Sequence, residues 1–205
     1  MSDLTTRDHI VQSADRLFYM RGYDHTSFAD IAAAVNISRG NFYYHFKSKD
    51  EILKAVIDAR MVKTGEMLER WELESPLAAD RIRRFIRMMI DNRADIKLYG
   101  CPVGTLTMEM AKLDHAARGD SGRLFTLFRT WLRAQFQALG CGADADRLAM
   151  HLLARSQGIA TLAAAFRDER FIRQEAALLE EWLAGLTEQH RTGGRKRASA
   201  RRKTT

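Results

Sequence analysis

Residues 27 to 46 most constrain what this chain can fold into, because they predict two short helices joined by a turn of only a few residues. Ser27 and Asp30 have the spacing of a capping box, in which each side chain accepts a hydrogen bond from the other residue's backbone N–H. Asn36 tolerates the left-handed conformation that ends a helix, and Ser38 can cap the next one. The stretch therefore predicts a helix, a tight turn and a second helix.

A longer helix in front of this pair completes a three-helix unit. Thr5 or Thr6 can cap it, and apolar residues recur on one face further along. This arrangement matches the helix-turn-helix plan, whose second helix enters the DNA major groove. On that second helix Phe42 and Phe46 share one face, so we expect them to anchor it. Gly40 would cost roughly 1 kcal/mol relative to Ala inside a helix, and a close approach of the backbone to DNA would explain it.

The remainder of the chain also favours helix. Only 2 prolines and 13 glycines occur in 205 residues, and straight-chain residues lose little rotamer freedom in a helix. We therefore predict an all-α protein, with roughly six more helices between Lys49 and about His190. The first residues lack the pattern of a secretion signal, and the longest apolar stretch is shorter than a membrane span. We expect no membrane association and a cytoplasmic location.

The cysteines exclude several kinds of site. Cys101 and Cys141 cannot form a disulfide framework, and together with His115 and His151 they have no recognisable metal-ligand spacing. We therefore expect neither a metal nor a cofactor. An enzyme with Cys101 as nucleophile and His115 or His151 as base is the alternative, but nothing in the sequence orders such a pair. The chain is predicted not to be an enzyme.

Residues 191 to 205 form a basic tail. Seven Arg and Lys side chains and no acid occur there, which equals the formal net charge of +7, so the rest of the chain is balanced. The tail lacks apolar side chains to bury and is predicted to be disordered. Sequence-independent nucleic-acid compaction through this tail is an alternative function.

The run from about Thr6 to Leu53 resembles the DNA-binding domain of the tetracycline-repressor (TetR) family, above all in FADIAAAVNISRGNFYYHFKSKDEIL. The matching positions are Thr26 and Ser27, DIA at 30 to 32, SRG at 38 to 40, FYYHF at 42 to 46 and KSK at 47 to 49. Two positions depart from the family pattern: Asn36 replaces the usual turn glycine, and Ala29 stands where many members have a basic residue. The second departure removes a possible DNA contact.

The resemblance implies which side chains meet DNA. Those implied to contact phosphate are Ser27, Tyr43 and Lys49, with Tyr44 and Lys47 beside them, and those implied to face base edges are Arg39, Gly40, Asn41 and His45. Hydroxyl and ammonium groups donate to phosphate oxygens, while Arg reads guanine and Asn reads adenine. The alternatives are that His45 packs against the preceding turn and that Tyr44 is a surface ring.

The resemblance also implies a domain organisation. It places a DNA-binding domain in residues 1 to 48 and a ligand-binding and dimerisation domain in residues 49 to 190, followed by the tail of residues 191 to 205. The last two long helices would pair with those of a second copy in a four-helix bundle. The candidate ligand-binding residues are Trp71, Phe85, Met89, Cys101, Met108, Phe128, Trp131 and Gln157. Such a set also occurs in ordinary cores, which is the alternative.

We therefore expect a homodimeric, ligand-responsive repressor that binds a pseudo-palindromic operator and is released by a largely apolar small molecule. An activator with the same parts is one alternative. Another is a redox or electrophile sensor acting through Cys101, because similar G-C-x-x-G stretches occur in a subgroup of the family, in some members with a redox-sensing cysteine. A small buried residue at a helix bend is the competing interpretation of Cys101.

Overall fold

The computed structural model describes residues 5 to 202, except for the side chains of Arg39 and of residues 191 to 202. Within this range the chain is helical and contains no strand, as the sequence predicts. The helices are α1 (Thr6–Arg21), α2 (Phe28–Val35), α3 (Arg39–His45), α4 (Lys49–Glu74), α5 (Ala78–Asp91), α6 (Arg93–Tyr99), α7 (Pro102–Lys112), α8 (Arg118–Ala138), α9 (Ala145–Phe166) and α10 (Glu169–Arg202), with a short 3₁₀ turn at Gly142–Asp144.

The first two helices begin at capping boxes. Thr5 caps α1: its side chain accepts from the Asp8 N–H at 3.2 Å, and the Asp8 carboxylate accepts from the Thr5 N–H at 3.1 Å. In the same way, Ser27 accepts from the Asp30 N–H at 3.0 Å and donates its own N–H to Asp30 at 2.8 Å. Two orphan backbone donors at each helix start are thereby satisfied.

The turn between α2 and α3 has the predicted geometry. Asn36 has φ 51° and ψ 45°, which is the left-handed conformation, and it ends α2. Ser38 then caps α3, because its hydroxyl accepts from the Asn41 N–H at 3.3 Å. Hydrogen bonds between residues three positions apart thus fix the end of α2 and the start of α3.

The chain packs as two compact units. The first unit contains the residues up to Met67 together with Cys101–Thr126, so it includes α7 and the start of α8. Leu106 and Met110 of α7 lie in the same buried cluster as Ile10 of α1. The first three helices therefore share their core with the start of α4 and with α7. The predicted boundary after residue 48 stays a prediction.

The second unit contains Leu68–Gly100 and the residues from Leu127 onward. It consists of α5, α6, α9 and α10 with the end of α4 and most of α8. Its core is aromatic and aliphatic. The large buried side chains are Ile82, Phe85, Ile86, Met89, Phe128, Trp131, Leu132, Phe136, Leu152, Leu179 and Leu183.

Seven helices follow Lys49 where roughly six were predicted. Asn92 separates α5 from α6: its backbone has φ −97° and ψ 11°, and its side-chain amide donates to the Met88 carbonyl at 2.8 Å. A competing side-chain bond of this kind interrupts a helix without proline or glycine. The break therefore left no strong signal in the sequence.

Helix α10 extends into the basic tail as far as Arg202. The disorder expected for residues 191 to 205 stays a prediction. The tail's side chains and residues 203 to 205 lie outside the described part, so its role in DNA binding stays a prediction. In the part that is described, no helix has the length and apolarity to cross a membrane.

Candidate nucleic-acid interface

Helix α3 is anchored to its unit by two phenylalanines. Phe42 is fully buried and Phe46 is 2% exposed. The ring of Phe42 meets that of Phe28 from α2 edge to face, with centroids 4.6 Å apart. These contacts fix the rotation of α3 about its axis, so the side chains between the two phenylalanines must point away from the core.

The other side of α3 carries exposed polar and aromatic groups. Tyr43 is 51% exposed and Tyr44 is 78% exposed, and Asn41 is also at the surface. A Cβ added to Gly40 would meet no atom within 4 Å, so nothing inside the chain requires glycine at this position. A large exposed aromatic pair beside an open glycine suits contact with an outside surface.

Neighbouring side chains hold this surface in shape. The Tyr43 ring lies 5.1 Å from the Phe28 ring, and the Lys47 ammonium donates to the Tyr43 carbonyl. The half-buried His45 ring contacts the Tyr44 ring edge on, at 5.2 Å between centroids. The side chain of Arg39 lies outside the described part of the chain.

Two implied phosphate contacts are occupied within the protein. The Ser27 hydroxyl donates to the Asp30 carboxylate at 2.5 Å. The Lys49 ammonium donates to the Tyr23 carbonyl at 3.0 Å and lies 4.1 Å from the centre of the Tyr23 ring. The Lys49 ammonium has three N–H donors, so it can keep the Tyr23 carbonyl and still donate to a phosphate, whereas the Ser27 hydroxyl would have to exchange its one acceptor.

A polar cluster around Tyr23 was not found by sequence reasoning. We call Tyr23, Lys49, Asp50, Glu109 and His115 the Tyr23 cluster. The Glu109 carboxylate accepts from the Tyr23 N–H at 2.9 Å, across 86 residues of sequence. The Tyr23 hydroxyl donates to Asp50 and lies 3.3 Å from His115 Nε2. No local pattern links residues so distant, which is why the sequence carries no signal of this cluster.

The candidate ligand residues fall into both units. Phe85, Met89, Phe128 and Trp131 are buried in the second unit, and Trp71 and Gln157 are half-buried there. The Trp71 and Trp131 ring centroids are 5.8 Å apart, and those of Phe85 and Phe128 are 5.5 Å apart. Cys101 and Met108 belong to the first unit, where Met108 is 59% exposed.

Within the described residues, two buried side-chain nitrogens have no hydrogen-bond partner: Arg93 Nε and the indole N–H of Trp131, of which only Trp131 lies among the candidate ligand residues. The Arg81 guanidinium of the same unit, by contrast, has hydrogen-bond acceptors within the chain: it donates to the Ser75 carbonyl at 2.6 Å and to Gln135 at 3.2 Å. A buried donor without an acceptor costs about 1–3 kcal/mol. The second unit thus contains an aromatic region with one unused donor.

Cys101 lies at the start of α7, where its sulfur accepts from the Gly104 N–H at 3.4 Å. It is half-buried, whereas Cys141 is buried in its own unit. No group of three or more His, Cys, Asp and Glu side chains in residues 5 to 190 is arranged to hold a metal ion. A sensing role for Cys101 stays a prediction.

Comparison with known proteins identifies the family of this chain. Residues 10 to 56 match the family model for bacterial regulatory proteins of the tetR family, and residues 78 to 178 match the LmrA/YxaF-like transcriptional regulator C-terminal domain. An HTH-type transcriptional regulator from the lacX 3' region of Lactococcus lactis is 31% identical over 181 residues, covering 85% of this chain and 91% of that protein. This chain belongs to the TetR family. Members of the family are transcriptional regulators rather than enzymes.

Two further comparisons agree with this assignment. A TetR transcriptional regulator from Legionella pneumophila has 25% identity and a TM-score of 0.79, covering 88% of this chain and 98% of that one. The HTH-type transcriptional repressor DhaR from Mycobacterium sp. (strain GP1) is 25% identical over 137 residues, which are 65% of each chain. The similarity therefore extends well beyond the DNA-binding helices.

Proposed function

We propose that this TetR-family regulator is a homodimeric repressor that binds a pseudo-palindromic operator and is released by a largely apolar small molecule. The observation that carries the DNA-binding part is the orientation of α3. Phe42 and Phe46 are buried, so Asn41, Tyr43 and Tyr44 face outward together. A helix anchored in this way presents one ordered face to the major groove.

Within that face the residues have different proposed roles. Arg39 and Asn41 read base edges with Gly40 allowing close approach, because Arg and Asn make bidentate contacts to guanine and adenine. His45 lies at the C-terminal end of the same helix. The phosphate contacts are Ser27, Tyr43, Tyr44, Lys47 and Lys49. These position the helix without carrying sequence information.

Dimerisation through α9 and α10 is supported by apolar side chains left exposed in the single chain. On α10 the buried face consists of Ile172, Ala176, Leu179 and Leu183. Leu178 lies off that face and is 52% exposed, while Met150 and Leu162 of α9 are each 44% exposed. A second copy would cover these groups, and two-fold pairing repeats each contact. Two helix-turn-helix units could then reach successive major grooves, about 34–36 Å apart.

An effector in the second unit would act through α4, which runs unbroken from Lys49 to Glu74. The aromatic side chains around Trp131 suit an apolar molecule, and its unused N–H suits one acceptor atom. Such a molecule releases DNA only if it binds the non-binding conformation more tightly. Repression rather than activation is proposed because the relative DhaR is a repressor. Transcription from the operator in vitro would separate the two.

Selection of bound duplexes from a randomised library tests the DNA-binding proposal. The parent protein should select an inverted repeat. Asn41→Ala should lose the preference at one base pair per half-site, since a bidentate contact discriminates by about 1–3 kcal/mol. Tyr43→Phe should weaken binding to all duplexes alike.

Gln12→Ala provides the control, because it removes an exposed amide from α1 rather than from α3. It should select the same sequences as the parent. If the parent enriches no inverted repeat, the proposed function is wrong. If Asn41→Ala keeps the full base preference, the assignment of α3 as the reading helix is wrong.

A further inference from the structure

We propose that Glu109 of α7 is a positioning residue for DNA binding: it holds the backbone after α1 and thereby sets the position of Lys49. This inference rests on the proposed operator binding and goes further, because it names the residue that connects α7 to a phosphate contact. All members of the Tyr23 cluster lie in the first unit.

Glu109 receives two backbone donors. Its Oε2 accepts from the Tyr23 N–H at 2.9 Å, and its Oε1 accepts from the Asp24 N–H at 2.8 Å. Hydrogen bonds to a carboxylate are about twice as strong as neutral ones. A shift of α7 relative to this turn would leave both donors without their acceptor.

The turn is shaped to admit the carboxylate. Gly22 has φ +90°, a conformation that side-chain-bearing residues rarely adopt. A Cβ at this position would stand 3.0 Å from Glu109 Oε1, which is tighter than nine in ten real Cβ contacts. The backbone conformation therefore favours glycine here, and a side chain would push the carboxylate away.

The side chain of Tyr23 is held at its other end. Its hydroxyl donates to Asp50, and His115 Nε2 lies 3.3 Å away. His115 Nδ1 accepts from the Ala117 N–H at 3.0 Å, so the ring proton is on Nε2 and points to the Tyr23 oxygen. Tyr23 is 5% exposed and has contacts from α4, α7 and the α7–α8 connection.

Lys49 takes its position from Tyr23. Its ammonium donates to the Tyr23 carbonyl at 3.0 Å and lies 4.1 Å from the ring centre, within the range of a cation–π contact. The backbone that Glu109 holds is thus the backbone that holds Lys49. Displacement of Glu109 releases the Tyr23 backbone, and with it the carbonyl that accepts from Lys49, while Asp50 and His115 still hold the Tyr23 side chain.

The experiment compares Glu109→Gln with Glu66→Gln on a duplex selected by the parent protein, over a series of salt concentrations. Glu66 is exposed on α4, so its variant removes the same negative charge away from the cluster. Glu109→Gln should lower the slope of log affinity against log salt by about 0.9 per subunit, the value for one phosphate contact. At physiological salt this corresponds to about fivefold weaker binding per subunit. Glu66→Gln should keep the slope.

Lys49→Ala, alone and combined with Glu109→Gln, tests whether Glu109 affects DNA binding through Lys49. Lys49→Ala should reduce the slope by the same amount, and adding Glu109→Gln to it should change little more, because both remove one contact. Amide hydrogen exchange at Tyr23 and Asp24 should become faster in Glu109→Gln. Glu109→Asp, which keeps the charge but shortens the reach, should show the same slope loss if Glu109→Gln does not fold.

Two results would overturn the inference. One is an unchanged slope in the folded Glu109 variants, and the other is a full second loss when Glu109→Gln is added to Lys49→Ala. A parent protein that selects no duplex would instead contradict the proposed function. The two failures are therefore distinguishable.

Discussion

At the scale of single residues, the buried indole of Trp131 is the clearest chemical feature of the second unit. Its N–H lacks a partner among the described residues, and its ring lies 5.8 Å from that of Trp71. An unused buried donor lowers stability unless an ordered water or a bound molecule supplies the acceptor. This donor is the feature that a hydrogen-bond acceptor on the proposed effector, such as a carbonyl oxygen, would satisfy.

Acetophenone and ethylbenzene test this effector class, because they have nearly the same shape and only acetophenone has an acceptor. In proton–nitrogen spectra, acetophenone should shift the Trp131 indole resonance, which is assigned by its loss in Trp131→Phe. Trp131→Phe should bind acetophenone about tenfold more weakly, a loss of about 1.4 kcal/mol, and bind ethylbenzene as the parent does. Trp71→Phe is the control that retains the donor. Equal binding of both compounds to parent and variant would contradict the donor role.

At the scale of elements, the start of α2 depends on the ionised carboxylate of Asp30. The Ser27 hydroxyl and backbone N–H donate to it and hold the pKa of Asp30 below its ordinary value of 3.8. A pKa lowered by folding means that the charged form stabilises the folded state above the unfolded pKa. This stabilisation is lost as the pH falls through the folded pKa.

Asp30→Asn should therefore lower the urea midpoint at about pH 7, and this difference from the parent should shrink as the pH falls below 3.8 through the lowered folded pKa of Asp30. Urea unfolding followed by circular dichroism at several pH values measures it. Asp95→Asn is the matched control, since Asp95 lies in the first turn of α6 without a capping box. A difference between parent and Asp30→Asn that persists undiminished in acid would show that the charge is not responsible.

At the scale of the whole molecule, the exposed apolar residues of α9 and α10 form the proposed dimer interface. Leu178→Arg should shift the protein toward monomer in sedimentation experiments, because a two-fold interface loses the leucine twice and gains two charges. Full burial of an exposed leucine contributes about 1.5–3 kcal/mol, and Leu178 is already about half covered, so the two copies together lose about 1.5–3 kcal/mol and dimerisation should weaken about tenfold to a hundredfold. Affinity for the selected inverted repeat should fall with it.

Leu73→Arg is the control for this experiment. Leu73 is 87% exposed near the end of α4, so arginine there changes charge without touching α9 or α10. The control should remain as dimeric as the parent. If Leu178→Arg is also fully dimeric, the proposed interface is in the wrong place.

The sequence by itself determined the features whose bonds are local. Thr5, Ser27 and Ser38 each bond to a residue three positions further on, and Asn36 ends α2 through its own backbone conformation. Spacing along α3 likewise separated Phe42 and Phe46 from the exposed tyrosines. These outcomes depend on neighbours within one helical turn, so the order of residues is enough to predict them.

Only the tertiary structure decided which distant segments meet. The place of α7 in the first unit, the contact of Glu109 with Tyr23 and the isolation of the Trp131 donor all depend on packing between residues far apart in the chain. A carboxylate on a helix is compatible with solvent as well as with a backbone donor 86 residues away. Local preferences do not distinguish these states, because the difference in free energy arises only when the core of α1, α4 and α7 brings the groups together.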